Sequence, residues 1–76
     1  MQVTLEVHIA QELKRRRLDL GLTQADVALR AGVTSRYVRK IESAEACPTL
    51  NVFVKVAIAL EADPVEILKL LLRSPL

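Results

Sequence analysis

The stretch that decides the fold is GLTQADVALRAGVTSRYVRKIE, residues 21–42. Thr23 and Asp26 form a capping-box pattern, which predicts that a helix begins beside them. Gly32 can adopt a positive φ at low cost, and Thr34, two residues later, is a favourable N-cap for another helix. The stretch therefore predicts two short helices that are joined by a glycine turn.

The second helix of this pair, predicted for residues 35–43, has two opposite faces. At about 100° per residue, Val38 and Ile41 point to one side, and Glu42 lies beside them. The other side carries Arg36, Arg39, Lys40 and Ser43. An apolar stripe can hold a helix against its neighbour, while long donors opposite can reach phosphates and base edges in a major groove. We interpret this as a DNA-reading helix, although outward charge is also typical of an ordinary amphipathic helix.

Four side chains of this helix could read or contact DNA in more than one way. Arg36 or Arg39 can donate to both O6 and N7 of a guanine, and Ser35 can bind a base or a phosphate. Tyr37 can contact a phosphate or a thymine methyl group, or it can simply cover the edge of the helix. The residue types are therefore suited to DNA, but they do not assign one contact to each side chain.

Glu42 differs from the other charged residues of this helix, because the helical spacing places it towards the core. A buried carboxylate requires a partner. On the preceding helix, both Arg16 and Arg17 border the apolar stripe, and either could reach Glu42. A partly exposed Glu42 without a fixed partner is the alternative. Periodicity alone leaves this choice open.

The segment before these two helices predicts a first helix and an arm. The helix has an apolar stripe and is followed by Gly21, which is placed as a left-handed terminator. The stripe comprises Ile9, Leu13 and Leu20. In residues 1–8, apolar and polar side chains alternate as in a strand, yet a lone strand cannot satisfy its backbone groups. We interpret residues 1–8 as an extended arm, with a longer first helix as the alternative, and residues 9–73 as the folded domain.

Two more helices are predicted after residue 48. Thr49 and Asp63 are favourable N-caps, and Pro64 suits a first helical position. Both helices are apolar nearly all round, so they have more apolar surface than a small core can cover. The residues expected to face the core are Leu50, Phe53, Ala57, Leu60, Val65, Leu68 and Leu72. The residues left to contact a second subunit are Ile67, Leu70 and Leu71.

The composition indicates one small domain. The chain has 76 residues, 51% of them hydrophobic, which is enough for one core and too few for two. The single cysteine, Cys47, cannot form an internal disulfide, so a homodimer is the expected support for so small a core. A lone cysteine without a leader-like segment favours the cytoplasm. No apolar run approaches the roughly 18 residues of a membrane span.

The basic residues are concentrated in the first half of the chain. The net charge is only +2. Between residues 14 and 40, however, eight basic residues are opposed only by Asp19 and Asp26. Such asymmetry is typical of a polyanion-binding surface on one side of a domain, and an ordinary solvated helical surface is the alternative.

The ordered combination of these motifs resembles the Xre-type helix-turn-helix regulators, the family that includes the phage lambda repressor and Cro. The matching segments are IAQELKRRR (9–17), GLTQADVA (21–28), GVT (32–34), Val38, IE (41–42) and PTL (48–50) through Ala59 and Leu60. Together they cover about residues 9–70. The resemblance implies a compact five-helix, all-α domain whose helix-turn-helix is formed by helices 2 and 3, with the third helix in the major groove.

The resemblance also implies DNA contacts for individual residues. Gln24 matches a position that contacts a phosphate and braces the reading helix. Ser35, Arg36 and Lys40 match base-reading positions, and Arg39 lies on the same exposed side. With the neighbouring polar residues, the predicted DNA-binding set is Gln24, Thr34, Ser35, Arg36, Tyr37, Arg39, Lys40 and Ser43.

Arg17 and Glu42 match the internal salt bridge of the family, which implies a structural role for both. Two features depart from the family pattern. The family usually has glycine where this chain has Ala44, which resists the left-handed conformation by about 1 kcal/mol. The turn at Ala44 is therefore expected to differ. The loop of residues 43–47 contains Glu45 and no Lys or Arg, so the phosphate contacts that this loop supplies in the family are not expected from basic side chains, and only Ser43 and backbone amides remain available for them.

No metal, cofactor or enzymatic activity is expected. His8 and Cys47 have no further His or Cys with which to complete a metal site. The chain also has neither a Ser/His/Asp grouping nor a glycine-rich phosphate loop. The sequence therefore favours a binding function.

The leading hypothesis is a sequence-specific transcriptional regulator, a repressor, that binds double-stranded DNA as a homodimer on a palindromic operator. One alternative is an antitoxin, which would bind DNA and also neutralise a toxin. Another is a protein-interaction adaptor that has retained the fold without DNA binding. A toxin-like neighbouring gene would indicate the first alternative, and a lack of salt-sensitive DNA association would indicate the second.

Overall fold

Five α-helices dominate the part of the chain that the computed structural model describes, residues 4–73. The helices are α1 (Leu5–Asp19), α2 (Gln24–Ala31), α3 (Ser35–Glu42), α4 (Leu50–Ala59) and α5 (Pro64–Arg73). No strand occurs within residues 4–73. The all-α prediction with a helix-turn-helix at α2 and α3 is confirmed.

Four threonines begin the first four helices. Thr4, Thr23, Thr34 and Thr49 each have an extended backbone, and each side-chain hydroxyl accepts a hydrogen bond from the amide three residues later. At Thr23 the predicted capping box is complete, because its amide also donates to the Asp26 carboxylate at 2.9 Å. These hydrogen bonds to Thr23 lower the pKa of Asp26. The helix starts are thus determined locally by the sequence.

The predicted arm is wrong for the residues that the structure describes. Helix α1 begins at Leu5, so residues 5–8 extend the first helix, as the alternative interpretation proposed. The amide of His8 donates to the carbonyl of Thr4 at 3.1 Å. A helix satisfies its backbone groups internally, whereas a lone strand cannot, and this favours the longer helix. Residues 1–3 of the predicted arm lie outside the described residues.

The core forms where the helices meet. Helix α2 packs on α3 and α4, α1 packs on α3 and α5, and α4 packs on α5. The largest fully buried side chains are Leu13, Val27, Ile41 and Ile67. Together with Val38, Phe53, Val56, Leu60 and other apolar residues they form one cluster. Burial of this cluster supplies most of the stabilising free energy.

Helix α5 faces the core with the side that was predicted to contact a second subunit. Ile67 and Leu71 are 0% and 5% exposed, so both belong to the core of one subunit. The exposed apolar residues of this helix are Val65, Leu68, Leu70 and Leu72. The prediction that Val65, Leu68 and Leu72 face inward is therefore wrong. A helix that is apolar all round has no periodicity that indicates its buried side, so packing against α1 and α4 decides it.

Two other residues predicted for the core are exposed. Phe53, Ala57 and Leu60 are buried as expected, but Leu50 is 71% exposed and Leu20 is 41% exposed. Leu50 is the first residue of α4, and Leu20 follows the last residue of α1. Both therefore lie at a helix end, where an apolar stripe passes beyond the helices that cover it.

Residues with a left-handed backbone conformation follow the ends of α1, α2 and α3. Gly21 and Gly32 have φ angles of 70° and 71°, as predicted from their positions. Ala44 also has a positive φ, 63°, so the expectation of a different turn after α3 is wrong. The amides of Ala44 and Glu45 donate to the carbonyls of Ile41 and Lys40, at 3.1 and 2.9 Å. These bonds hold Ala44 in a conformation that its Cβ disfavours.

We predict that Ala44→Gly stabilises the protein. Glycine removes a left-handed penalty of about 1–2 kcal/mol and adds an unfolded-state entropy cost of about 0.5–1 kcal/mol. The net gain in the free energy of unfolding should be about 0.5–1 kcal/mol, measured by denaturant unfolding. The matched control is Ala25→Gly on the exposed side of α2, which should lose about 1 kcal/mol. A loss of stability in Ala44→Gly would contradict the strain that we assign to this turn.

Candidate nucleic-acid interface

Helix α3 is anchored by its apolar side and exposes its polar side. Val38 and Ile41 are 3% and 2% exposed, which confirms the inward face predicted from the sequence. The hydroxyl of Thr34 accepts from the amide of Tyr37 at 3.1 Å, so Thr34 serves as the N-cap. The ring of Tyr37 is half-buried against the core, as expected of a residue that covers the helix edge. Sequence reasoning therefore placed the faces of α3 correctly.

The predicted DNA-contacting side chains of α3 lie together on the outside. Ser35, Arg36, Arg39 and Ser43 are exposed, and Lys40 is half-buried. Among residues 4–73, no carboxylate forms an ion pair with Arg36 or Lys40. Arg36 and Lys40 are therefore available to an external anion. Contact with DNA remains a prediction for each of these residues.

Arg17 is the partner of Glu42, as the resemblance implied. The Arg17 Nε and Nη2 atoms donate to the two carboxylate oxygens at 2.7 and 2.9 Å, and Nη1 donates to the carbonyl of Leu22 at 2.8 Å. The side chains are only 11% and 6% exposed. The hydrogen bond to Glu42 raises the pKa of Arg17. Arg16, the other candidate, instead contacts Glu12 at 2.8 Å.

Gln24 joins the same cluster. Its Nε2 atom donates to Oε1 of Glu42 at 3.1 Å, so the first residue of α2 contacts the last residue of α3. This contact is the bracing that the resemblance implied. The phosphate contact of Gln24 remains a prediction. Its side chain is half-buried, so part of it is exposed at the surface.

Arg15 and Arg16 of α1 are paired with acids on the same helix. Arg15 lies 2.6 Å from a Glu12 oxygen and 3.1 Å from an Asp19 oxygen. The hydrogen bond from Arg15 lowers the pKa of Glu12. Within residues 4–73, Lys14 is therefore the one lysine or arginine of α1 that forms no ion pair. On α3, Arg36 and Lys40 have no ion-pair partner within residues 4–73.

Glu45 reaches the polar face of α3, which the sequence did not reveal. The left-handed turn at Ala44 folds the chain back over the end of the helix. The Ser43 hydroxyl donates to Oε2 of Glu45 at 2.5 Å, and the same oxygen lies 3.8 Å from Nη1 of Arg39. The pKa of Glu45 is lowered chiefly by the Ser43 hydrogen bond, and the positive charges of α3 contribute. An acid therefore lies among the cations that were predicted to contact DNA.

Cys47, at the loop before α4, is a free and exposed thiol. Within residues 4–73, no group of three or more His, Cys, Asp or Glu side chains is arranged to hold a metal ion. None of the helices there is both long enough and apolar enough to cross a membrane.

A helix-turn-helix family model, HTH_3, matches residues 13–67 of the chain. The matched range contains α2 and α3 and also both members of the Arg17–Glu42 ion pair. No curated protein sequence gives a significant match. The family assignment thus covers the whole of the candidate interface.

Several solved structures have the same fold. The restriction-modification controller protein C.AhdI from Aeromonas hydrophila is 31% identical; the match covers 82% of this chain and 94% of that one, with a TM-score of 0.78. The controller protein C.Esp1396I, a tetramer in complex with its natural 35 base-pair operator, is 24% identical over 95% of each chain, with a TM-score of 0.84. The clp gene regulator ClgR from Corynebacterium glutamicum is 20% identical over 96% of this chain and 78% of that one, with a TM-score of 0.87. At these identities, the last two comparisons establish the fold alone.

We predict that Arg17→Ala or Glu42→Ala lowers the free energy of unfolding by about 3–5 kcal/mol, because each leaves a buried charge without its partner. In a double-mutant cycle, the two losses should be coupled by more than about 1 kcal/mol. The matched control is Arg15→Ala, which breaks two surface ion pairs on the same helix, with Glu12 and Asp19, and should cost far less. Small, additive losses at Arg17 and Glu42 would disprove a structural role for the pair.

Proposed function

This chain belongs to the helix-turn-helix family HTH_3, and on that premise we propose that it is a DNA-binding regulator of transcription. The observation that carries the proposal is the division of α3 into a buried side and an exposed cationic side. Val38 and Ile41 hold the helix in the core, while Arg36 and Lys40 have no ion-pair partner within residues 4–73. Such a helix can enter a major groove and place long donors against base edges and phosphates.

The acceptor proposed for Arg36 is a guanine. Arg36 lies in the first turn of α3, next to Ser35 and close to the N-cap residue Thr34. The N-terminal residues of a recognition helix are those that meet base edges in helix-turn-helix complexes, and arginine can bind O6 and N7 of guanine together. Arg39 and Lys40, one turn later, are proposed to bind phosphate or base edges from the same face.

We also propose that the protein binds as a homodimer and that the exposed side of α5 contributes to the dimer interface. An apolar groove of about 350 Å³ is lined in part by Leu5, Leu50, Leu68 and Leu72. These exposed leucines are contiguous, and a contiguous apolar patch, unlike a single exposed leucine such as Leu29, is typical of a protein interaction surface. Helix α5 packs on α1 and α4, so a dimer formed there leaves α3 free for DNA.

A two-fold dimer would present two copies of α3 to one side of a duplex. Its operator would then be a palindrome with half-sites about one helical turn apart. The operator complex of the tetrameric C.Esp1396I supports oligomeric DNA binding by this fold. We propose repression as the effect, because a dimer that covers an operator excludes other proteins without needing a further partner. A catalytic role is not part of this proposal.

We predict that Arg36→Ala weakens binding to the specific operator by about 1–3 kcal/mol per half-site and relaxes the preference at one base. Binding to scrambled DNA should weaken much less. The test is fluorescence anisotropy on both duplexes over a range of salt concentrations. The control is Lys55→Ala, which removes one positive charge from the exposed side of α4. It should change the affinity for neither the operator nor the scrambled duplex.

Two other results would change this assignment. A uniform loss for Arg36→Ala on both duplexes, with a salt slope smaller by about one per subunit, would assign Arg36 to a phosphate. Unchanged binding by Arg36→Ala and Lys40→Ala at every salt concentration would show that α3 does not read DNA. The adaptor alternative would then be favoured.

For the dimer, we predict that Leu72→Glu gives a folded monomer, because a charge in an apolar interface disfavours association. Leu72 is largely exposed, so the substitution should not disturb the fold of the subunit. The measurement is sedimentation equilibrium combined with circular dichroism. Leu29→Glu is the matched control, because Leu29 is 84% exposed on α2 and should leave the dimer intact. A dimer that survives Leu72→Glu and Leu68→Glu would locate the interface elsewhere.

A further inference from the structure

We propose that Glu45 is an internal competitor for DNA phosphate, which holds Arg39 and Ser43 in the free protein and weakens DNA binding. This inference rests on the proposed function, because it assigns a role to a carboxylate within the DNA-binding face. A phosphate that approaches Arg39 must displace Glu45 or bind beside a like charge. The carboxylate therefore reduces the affinity for every DNA sequence by a similar factor.

The position of Glu45 is set by the backbone. The amides of Glu45 and Ala46 both donate to the carbonyl of Lys40, at 2.9 and 3.1 Å. Ala44, which precedes these two residues, has a left-handed backbone conformation that turns the chain after α3. The loop is consequently tied to the last turn of the helix, and the Glu45 side chain is held close to Arg39.

The contacts of Glu45 satisfy groups that DNA could otherwise use. Its Oε2 atom accepts from the Ser43 hydroxyl at 2.5 Å, a shorter contact than the 3.1 Å from that hydroxyl to the carbonyl of Lys40, and it lies 3.8 Å from Nη1 of Arg39. Hydroxyl and guanidinium groups are common donors to phosphate oxygens in protein–DNA complexes. A carboxylate that takes both donors imitates the charge of the phosphate that they would bind.

The same contacts can be exchanged without unfolding. Arg39 and Glu45 are 55% and 56% exposed, and their separation of 3.8 Å is that of a loose ion pair. Glu42 differs in both respects, because its contact with Arg17 is short, bidentate and buried. Exposed ion pairs are weak and screened by salt, so a phosphate can replace Glu45 at modest cost. Glu42 cannot be replaced in this way.

The decisive variant is Glu45→Gln, which removes the charge but keeps an oxygen that can accept from Ser43. Binding to a scrambled duplex of about 25 base pairs is measured by anisotropy over a range of salt concentrations. Because Arg39 becomes free to neutralise one more phosphate, affinity near 0.1 M salt should rise about three- to tenfold per subunit. The slope of log affinity against log salt should steepen by about 0.9 per subunit. Thermal unfolding confirms that each variant is folded.

Glu61→Gln is the matched control. Glu61 forms a similarly exposed ion pair with Arg30, at 3.2 Å, on the turn after α4. Its substitution removes the same charge from a residue that contacts no side chain of the DNA-binding set, and should leave DNA affinity within about twofold of wild type. The Arg39→Ala background provides a second comparison. There the gain from Glu45→Gln should fall below about twofold, since no guanidinium remains to be released.

Three results would overturn the inference while leaving the proposed function intact. The first is an equal DNA affinity of the Glu45→Gln and Glu61→Gln variants. The second is a gain in DNA affinity from Glu45→Gln that persists in the Arg39→Ala background. The third is a loss of DNA affinity in Glu45→Gln that occurs on a selected operator only. The last would instead assign Glu45 to the amino group of a cytosine. Absence of salt-dependent duplex binding by the wild-type chain would overturn the proposed function, and this inference with it.

Discussion

The ion pair between Arg17 and Glu42 is the interaction on which the rest of the structure depends. Glu42 is the last residue of α3, where the helix dipole is unfavourable to a negative charge, and it is buried as well. Arg17 compensates with two short hydrogen bonds, and Gln24 adds a third. One carboxylate thereby joins α1, α2 and α3. Because the carboxylate needs all three donors, it fixes the orientation of α3, while apolar contacts alone would fix only its buried side.

That orientation determines which charges remain available. Arg15 and Arg16 of α1 are paired with acids one turn away, whereas Arg36 and Lys40 on α3 have no such partner within residues 4–73. Net charge is therefore a poor guide to the interface, since +2 is small and does not show that three cations lie on one face of a single short helix. Glu45 lies on the same face and moderates it. The affinity for DNA then reflects a local balance of charges that the fold brings together, more than the total charge of the chain.

The helix-turn-helix could be predicted from the sequence because its signals are local. Thr23, Asp26 and Gly32 act on the backbone within a few residues, and α3 has a polar side and an apolar side that differ clearly. The buried side of α5 could not be predicted, because a helix that is apolar all round is oriented by tertiary packing. Glu45 was missed for a related reason. Its place on the α3 face depends on a left-handed Ala44, which local preferences argue against and which backbone hydrogen bonds maintain.

The central claim is that the exposed face of α3 reads a DNA sequence, and selection of bound duplexes from a random pool tests it most directly. We expect enrichment of one inverted repeat, with half-sites about one helical turn apart. The same selection with the Arg36→Ala variant should lose information at one position of each half-site and retain it elsewhere. A pool that remains random after repeated rounds with the wild-type protein would contradict sequence-specific recognition by this helix.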